Sequence, residues 1–323
     1  MGYKLAGYTV VGNCEIDPRM AKVYAANLHP KYPYTMDVRD FLKISNADLP
    51  AELLELDALD GSPPCSVFST AGEREDAWSK EKVFKEGQAA QRLDDLFFYF
   101  IQIAEKLRPK VVIAENVAGL LKGNAKGYVN EIFKAFDAAG YKTQLFLLDA
   151  ARMGVPQSRQ RCFFIARRKD LDLPAVSLDF HEKPITFGEV RTERGTPLKK
   201  GEKVKRYIKY IQPTDKCLGD TLKRIIGADM LYNATISHDD KVAGALTAQC
   251  LTIRGCDGLQ YSDGDTIAVQ TFPQDYDFCG ERPRYVCGMS VPPVMMAQVA
   301  TQVAQQIFKG EAGAKKKPHE RGL

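Results

Sequence analysis

The sequence reads as an α/β fold: a Rossmann-like sheet flanked by helices, with a smaller region of different character after it. Three observations predict this. Short β-branched runs alternate with segments of helical apolar period through the first half. Acidic residues stand where such runs end, and a proline-fixed turn, Asp60-Gly61-Ser62-Pro63-Pro64-Cys65, follows another. Beyond residue 170 the alternation stops, and Lys199, Lys200, Lys203, Lys205, Arg206 and Lys209 gather around Tyr207 and Tyr210.

The elements follow in order. Tyr8 to Asn13 is a strand-like run that ends at Glu15-Ile16-Asp17-Pro18, and Arg19 to Leu28 places Ala21, Tyr24, Ala25 and Leu28 on one helical face. A strand that ends in an acid before a helix is how doubly wound folds offer a carboxylate to a ribose, although acids at helix starts also serve the helix dipole. Tyr34 to Val38 repeats the theme with Asp37. Leu53 to Leu59 is an apolar strand that breaks at Gly61, where two prolines fix φ near −65° and hold Cys65 at the carboxyl edge of the sheet. Only a thiolate is nucleophilic, and a free thiol has a pKa of roughly 8.5, so a reactive Cys65 needs a neighbour that favours ionisation. Residues 66–91 form a long polar loop with the single Trp78, a length that marks either a closing loop or a disordered insertion. Leu93 to Leu107 has a helical period, and the strand Val111 to Ala114 delivers Glu115 to the same edge as Cys65. The helix Val129–Ala138 stops at Gly140. Before the strand Cys162–Ala166, Arg159 and Arg161 alternate and point one way if the strand begins there, which suits phosphate or carbonyl recognition or an exposed basic edge.

Composition narrows the class. A net charge of +4 is mild. The eight cysteines form no CxxC pair, so neither a zinc ribbon nor a disulfide framework is indicated, and a reducing cytoplasm is the default. No apolar run approaches the roughly 20 residues of a membrane span, and the start lacks the pattern of a signal peptide. The tail around Lys315-Lys316-Lys317 reads as solvated and disordered.

Taken together, Pro64-Cys65-x-x-Phe68-Ser69, Glu115-Asn116-Val117 and Gln157-x-Arg159-x-Arg161, in that order, resemble the DNA cytosine-5 methyltransferases. Gln270-Thr271-Phe272-Pro273 and Gly288-Met289-Ser290-Val291-Pro292-Pro293 are similar to that family's last two motifs, and the resemblance runs from about Gly2 to Phe308. It implies the S-adenosylmethionine-dependent methyltransferase sheet with a mixed, largely β target-recognition region. The expected division is 1–169 catalytic, 170–260 target recognition, 261–310 a return to the catalytic unit and 311–323 a basic tail. It also implies roles. Cys65 would add to C6 of cytosine, Glu115 would bind N3 and the exocyclic amine, Arg161 the carbonyl oxygen, and Arg159 would lie near the phosphate and the thiol. S-adenosylmethionine would meet Glu15 and Ile16 at its ribose, Asp37 and Val38 at its adenine, and Pro63, Leu96 and Ser290 elsewhere.

The family's opening strand and Phe-x-Gly-x-Gly turn have no counterpart in the sequence, so the first strand of the sheet is expected to be missing and cofactor binding weak. Met289 stands where the family carries Asn. The partners implied are double-stranded DNA and a cognate restriction endonuclease, with the chain a monomer. Two alternatives stand beside this reading: a tRNA cytosine-5 methyltransferase, and a non-catalytic DNA-binding or partner subunit.

Overall fold

The computed structural model describes residues 1–64, 95–122, 125–198, 203–228, 230, 234–249 and 251–308. Cys65 and the loop expected over 66–91 therefore lie outside the described residues. The chain opens with α1 (Gly2–Leu5), followed by β1 (Gly12–Cys14), α2 (Pro18–Leu28), β2 (Tyr32–Tyr34), α3 (Val38–Lys43) and β3 (Ala58–Gly61). Then come α4 (Leu96–Leu107), β4 (Val111–Val117), α5 (Ala125–Ala138), β5 (Tyr141–Asp149), β6 (Gln157–Ser158) and β7 (Gln160–Arg168). Local chemistry sets several boundaries. Asp17 caps α2 by accepting the Arg19 N–H at 2.9 Å, Pro18 occupies the first turn, and His29 ends the helix at φ 47°. Asp37 caps α3 in the same way, accepting from Arg39 N–H at 2.8 Å.

The central sheet has the order β3-β4-β7-β5. Residues Val111 to Asn116 of β4 are all buried, as befits a strand covered on both faces. Its side chains alternate between two cores. Val112 and Ala114 join Phe97, Phe100, Ile132 and Phe136 of α4 and α5. Val111 and Ile113 face the other way, toward Met295, Met296, Val299 and Val303 of α10 (Pro293–Val303). The last helix thus closes the face opposite α4 and α5.

Several expectations are corrected. The sheet is mixed: β3 and β4 run parallel, and β7 runs antiparallel to both β4 and β5. The connection between β5 and β7 is too short for a helical crossover, and antiparallel pairing is what such a link allows. Strand β5, whose first half carries the polar run Lys142-Thr143-Gln144 before Leu145-Phe146-Leu147-Leu148, was not expected from the sequence. The strand expected over Leu53–Leu59 starts later, at Ala58, because a 3-10 turn at Ala51–Leu53 follows Pro50. Of the run Tyr8–Asn13 only Gly12 and Asn13 fall in a strand, β1, which pairs in parallel with β2 alone. Among the described residues no strand links β1 to β3.

The region after β7 is less β-rich than expected. It holds α6 (Phe187–Val190), α7 (Leu218–Ile226), β8 (Ala234–Ser237), β9 (Ala243–Gly244) and β10 (Leu251–Arg254), followed by α8 (Asp263–Val269) and α9 (Pro283–Met289). β8 and β10 pair in parallel around a small core of Leu198, Leu218, Ile236 and Ile253. β9 pairs with β6 and so joins this region to the end of the central sheet. Within it, Arg254 is the largest wholly buried side chain, and its guanidinium meets Asp265 at 3.3 Å and Asp257 at 3.1 Å.

Candidate active site

The carboxyl end of β4 presents Glu115, with 8% of its surface exposed. In the antiparallel register Val117 faces Arg161, so Glu115 and Arg161 are diagonal neighbours on one face of the sheet. Arg161 Nε donates to Glu115 Oε1 at 2.8 Å. Burial pushes the Glu115 carboxyl above its usual range, and Arg161, the Ser62 hydroxyl and Arg159 oppose that shift. The adjacent Asn116 turns the other way and donates its amide to the Pro63 carbonyl at 3.1 Å. Ser62 and Asn116 therefore fix the Gly61–Pro64 turn to the end of β4 from both of its faces. Neither contact was anticipated from the sequence, where Asn116 was only the middle of a tripeptide.

Arg159 lies between β6 and β7 and is 4% exposed. Its guanidinium donates to the Leu246 carbonyl at 2.6 Å and to the Gly288 carbonyl at 3.2 Å. Burial pulls its pKa down to about 9, and Arg161 nearby adds to that effect. Gln157, wholly buried, donates to Gln270 Oε1 at 2.7 Å and accepts the Leu246 N–H at 3.0 Å. These two side chains draw the segment after β9 and the end of α9 onto the sheet. The sequence marked Gln157 only by its spacing from the arginines.

The residues expected to hold a nucleoside gather at the ends of β1 and β2. Glu15 accepts the Asp17 N–H at 2.8 Å, and its own N–H donates to Tyr34 O at 3.0 Å. Burial raises its carboxyl. Asp37 lies close by, since the Cys14 thiol is pushed up to about 11 by burial and by both carboxylates. Ile16 exposes its side chain beside them, while Val38 is half-buried at the start of α3. An exposed aliphatic platform flanked by two carboxylate acceptors fits a purine nucleoside, whose face is apolar and whose hydroxyl and amino groups donate. Pro63 is buried in the turn and Leu96 half-buried at the first position of α4. Ser290 uses its hydroxyl within α9, donating to Val286 O at 2.6 Å. Met289 beside it is 66% exposed. Among the described residues no group of side chains is arranged to hold a metal ion, and no helix is long and apolar enough to cross a membrane.

The chain is an α/β protein whose mixed sheet holds a buried carboxylate–guanidinium pair at a strand end, beside a Pro-Pro turn. It belongs to the C-5 cytosine-specific DNA methylase family, whose profile matches residues 1–242. The chain is 34% identical over 178 residues to the type II methyltransferase M.NgoPII of Neisseria gonorrhoeae, a match that covers 54% of this chain and 46% of that protein. It is 25% identical over 335 residues to the type II methyltransferase M1.HphI of Haemophilus parahaemolyticus, covering 94% of this chain and 82% of that one. With several of these relatives the match spans half their length or less. In fold it is similar to a putative DNA modification methyltransferase encoded within an E. coli prophage, with a TM-score of 0.68, 18% identity and 94% of each chain covered.

Proposed function

We propose that this chain methylates C5 of cytosine in double-stranded DNA, with S-adenosylmethionine as the methyl donor. The observation that carries this reading is the Glu115–Arg161 pair, buried at the end of β4 and tied through Ser62 and Asn116 to the turn that leads to Cys65. C5 of cytosine is a poor nucleophile, so its methylation calls for a covalent device. The Cys65 thiolate bonds to C6, and the electron pair of the 5,6 double bond becomes available at C5. Glu115 holds N3 and the exocyclic amine, and its raised pKa suits a group that shares a proton with N3 as charge enters the ring. Arg161 offers its remaining N–H groups to the carbonyl oxygen while fixing the Glu115 carboxylate. Arg159, spent on two backbone carbonyls, braces the pocket wall. Glu15, Ile16, Asp37 and Val38 would hold S-adenosylmethionine, whose sulfonium would supply the electrophilic methyl group to C5, the S–CH3 bond breaking to leave S-adenosylhomocysteine. Loss of the C5 proton to water and departure of the Cys65 sulfur then restore the double bond and the thiolate.

The target base must leave the duplex, at a cost of a few kcal/mol. The exposed Lys205, Arg206 and Lys209 suit phosphate contacts that offset it. Relatives include both type II and orphan methyltransferases, so a cognate endonuclease accompanies this reading without being required by it. One chain carries every residue named, so a monomer suffices, and a reducing cytoplasm would keep Cys65 a thiol.

Trapping tests it. Genomic DNA substituted with 5-fluorodeoxycytidine, incubated with the chain and S-adenosylmethionine, should give a complex that survives a denaturing gel, because fluorine cannot leave C5 as a proton does. Cys65→Ser should abolish the complex. Persistence of the adduct in that variant would sink the assignment of Cys65, and methylation of transfer RNA in preference to DNA would move the substrate to RNA.

A further inference from the structure

Strand β5 stands at one end of the central sheet, and among the described residues no strand covers its outer side. Which of its backbone groups face outward follows from the ladder. At the two ends of the β5–β7 register, the Ala150 N–H donates to the Arg159 carbonyl at 3.1 Å and the Lys169 N–H to the Gly140 carbonyl at 2.9 Å. Bonded and non-bonded pairs alternate in an antiparallel ladder. The even-numbered residues of β5 therefore bond to β7, and Thr143, Leu145 and Leu147 turn their N–H and C=O groups away from it. The bonding of β7 to β4 gives the same phase, since the Arg168 N–H donates to the Lys110 carbonyl at 3.0 Å. Among the described residues no other backbone group meets these three on that side. A strand edge left open in this way is a template for another strand.

The side chains along this edge select the strand that fits. Tyr141 and Leu145 join the core under α5, whereas Phe146 and Leu148 face α10. Leu147 shares the α5 face by alternation, yet it is 52% exposed. Four residues back on that face, Thr143 opens on a groove between β5 and α5. Phe133, Ala138 and Tyr141 line it, together with the exposed Lys134 and Lys142. A knob and a groove spaced evenly about Leu145 are what a self-complementary, two-fold contact requires. In an antiparallel pair of two β5 strands centred on Leu145, Thr143 of one copy stands about 5.5 Å from Leu147 of the other. Each exposed leucine then enters the groove of the other copy, and the two contacts are equivalent. We propose that the chain forms a two-fold dimer through β5, with the central sheets joined edge to edge and Leu147 as the anchor. Strands β4 and β5 run the same way, both antiparallel to β7. The Glu115–Arg161 pairs of the two copies therefore lie at opposite edges of the joined sheet. The proposal does not rest on the activity above.

Sedimentation velocity over a range of concentrations tests it, with unchanged circular dichroism certifying that each variant is folded. The parent chain should pass from monomer to dimer as concentration rises. Leu147→Lys sets an ammonium against Lys134 and Lys142 of the other copy. It should raise the dimer dissociation constant by about 30-fold or more, the scale of a central interface anchor. Because Leu147 is exposed in the single chain, the change leaves that chain's own core alone. Adding Thr143→Glu places a carboxylate opposite each new ammonium across the dimer and should recover about 10-fold of the loss. Within one chain the two positions are about 13 Å apart along the strand, so the recovery cannot come from an internal pair. Any of three results overturns the proposal. A parent that stays monomeric at every concentration leaves the edge to a segment of its own chain or to another protein. A dimer that Leu147→Lys does not weaken has its interface elsewhere. Weakening with no recovery in the double variant rejects the pairing about Leu145.

Discussion

At the scale of single residues, the chain concentrates its costs in one place. A buried glutamate whose carboxyl is held above its usual range, paired with Arg161 and close to an Arg159 whose basicity burial lowers, would be a poor choice for stability alone. Glu115→Gln keeps the shape and removes the titrating group. DNA affinity in a filter-binding assay should stay within a few-fold of the parent, while methyl transfer should fall by about 10²–10⁴-fold, the usual worth of a proton-sharing group. Parallel loss of binding and turnover would mark Glu115 as a structural residue. This pair was legible in the sequence as motifs in order, and register explains why the motifs meet, since Val117 opposite Arg161 puts Glu115 on the diagonal. What was not legible is the use of Arg159. Its alternation with Arg161 suggested a common target, yet the strand is interrupted between Ser158 and Gln160, and its two terminal nitrogens donate to carbonyls of two distant segments while Nε is left without an acceptor. Spacing reports direction along a ladder. It cannot report which loops will fold over that ladder.

Among the elements, α9 and the segment after β9 are packed backbone to backbone. A Cβ on Gly288 would lie 2.3 Å from the Ala248 nitrogen and 2.4 Å from the Thr247 carbonyl carbon. Neither atom can rotate away. Gly288→Ala should therefore destabilise the chain by about 1–3 kcal/mol in urea unfolding, the range seen for overpacked sites. An unchanged midpoint would mean that the two segments are further apart than described. The sequence announced Gly288 only as part of a resembling motif, because a close approach between segments forty residues apart leaves no periodic trace. The strands and helices that were legible, α2, α4, α5 and β4, are those whose apolar pattern is local and strong. The short strands β8, β9 and β10 have four, two and four residues, too few for a period of two to stand out, and they exist by virtue of tertiary pairing.

For the whole molecule, net charge of +4 hides an uneven distribution. Lys205, Arg206 and Lys209 lie exposed on consecutive 3-10 turns, with the Lys209 ammonium over the Tyr210 ring at 4.9 Å. Changing Lys205 and Lys209 to Gln should weaken binding to all DNA sequences alike and flatten the dependence of log affinity on log salt by about 0.9 per lost phosphate contact. A change in which sequence is methylated, at constant salt slope, would instead assign these residues to base reading. The shift in composition near residue 170 is where the sequence expects one part to give way to the next. The seam across the expected bounds is made by buried side chains, Gln157 reaching Leu246 and Gln270 and Arg254 reaching Asp265, and no spacing announces it.

That seam bears on heredity and on engineering. Arg254 belongs to the stretch expected to read the target, and Asp265 lies just past its expected end, in the part expected to return to the catalytic unit. The two are almost wholly enclosed, with Thr192 hydrogen-bonded to both and the Ser262 hydroxyl bonded in turn to Thr192. A crossover at residue 260 would separate the guanidinium from its carboxylate and strand each with a foreign mate. Grafts that exchange target preference should travel with both members, ending beyond Val269, where α8 is complete. The same constraint would act on natural recombination, so that the unit passed between lineages is longer than the surface that touches DNA.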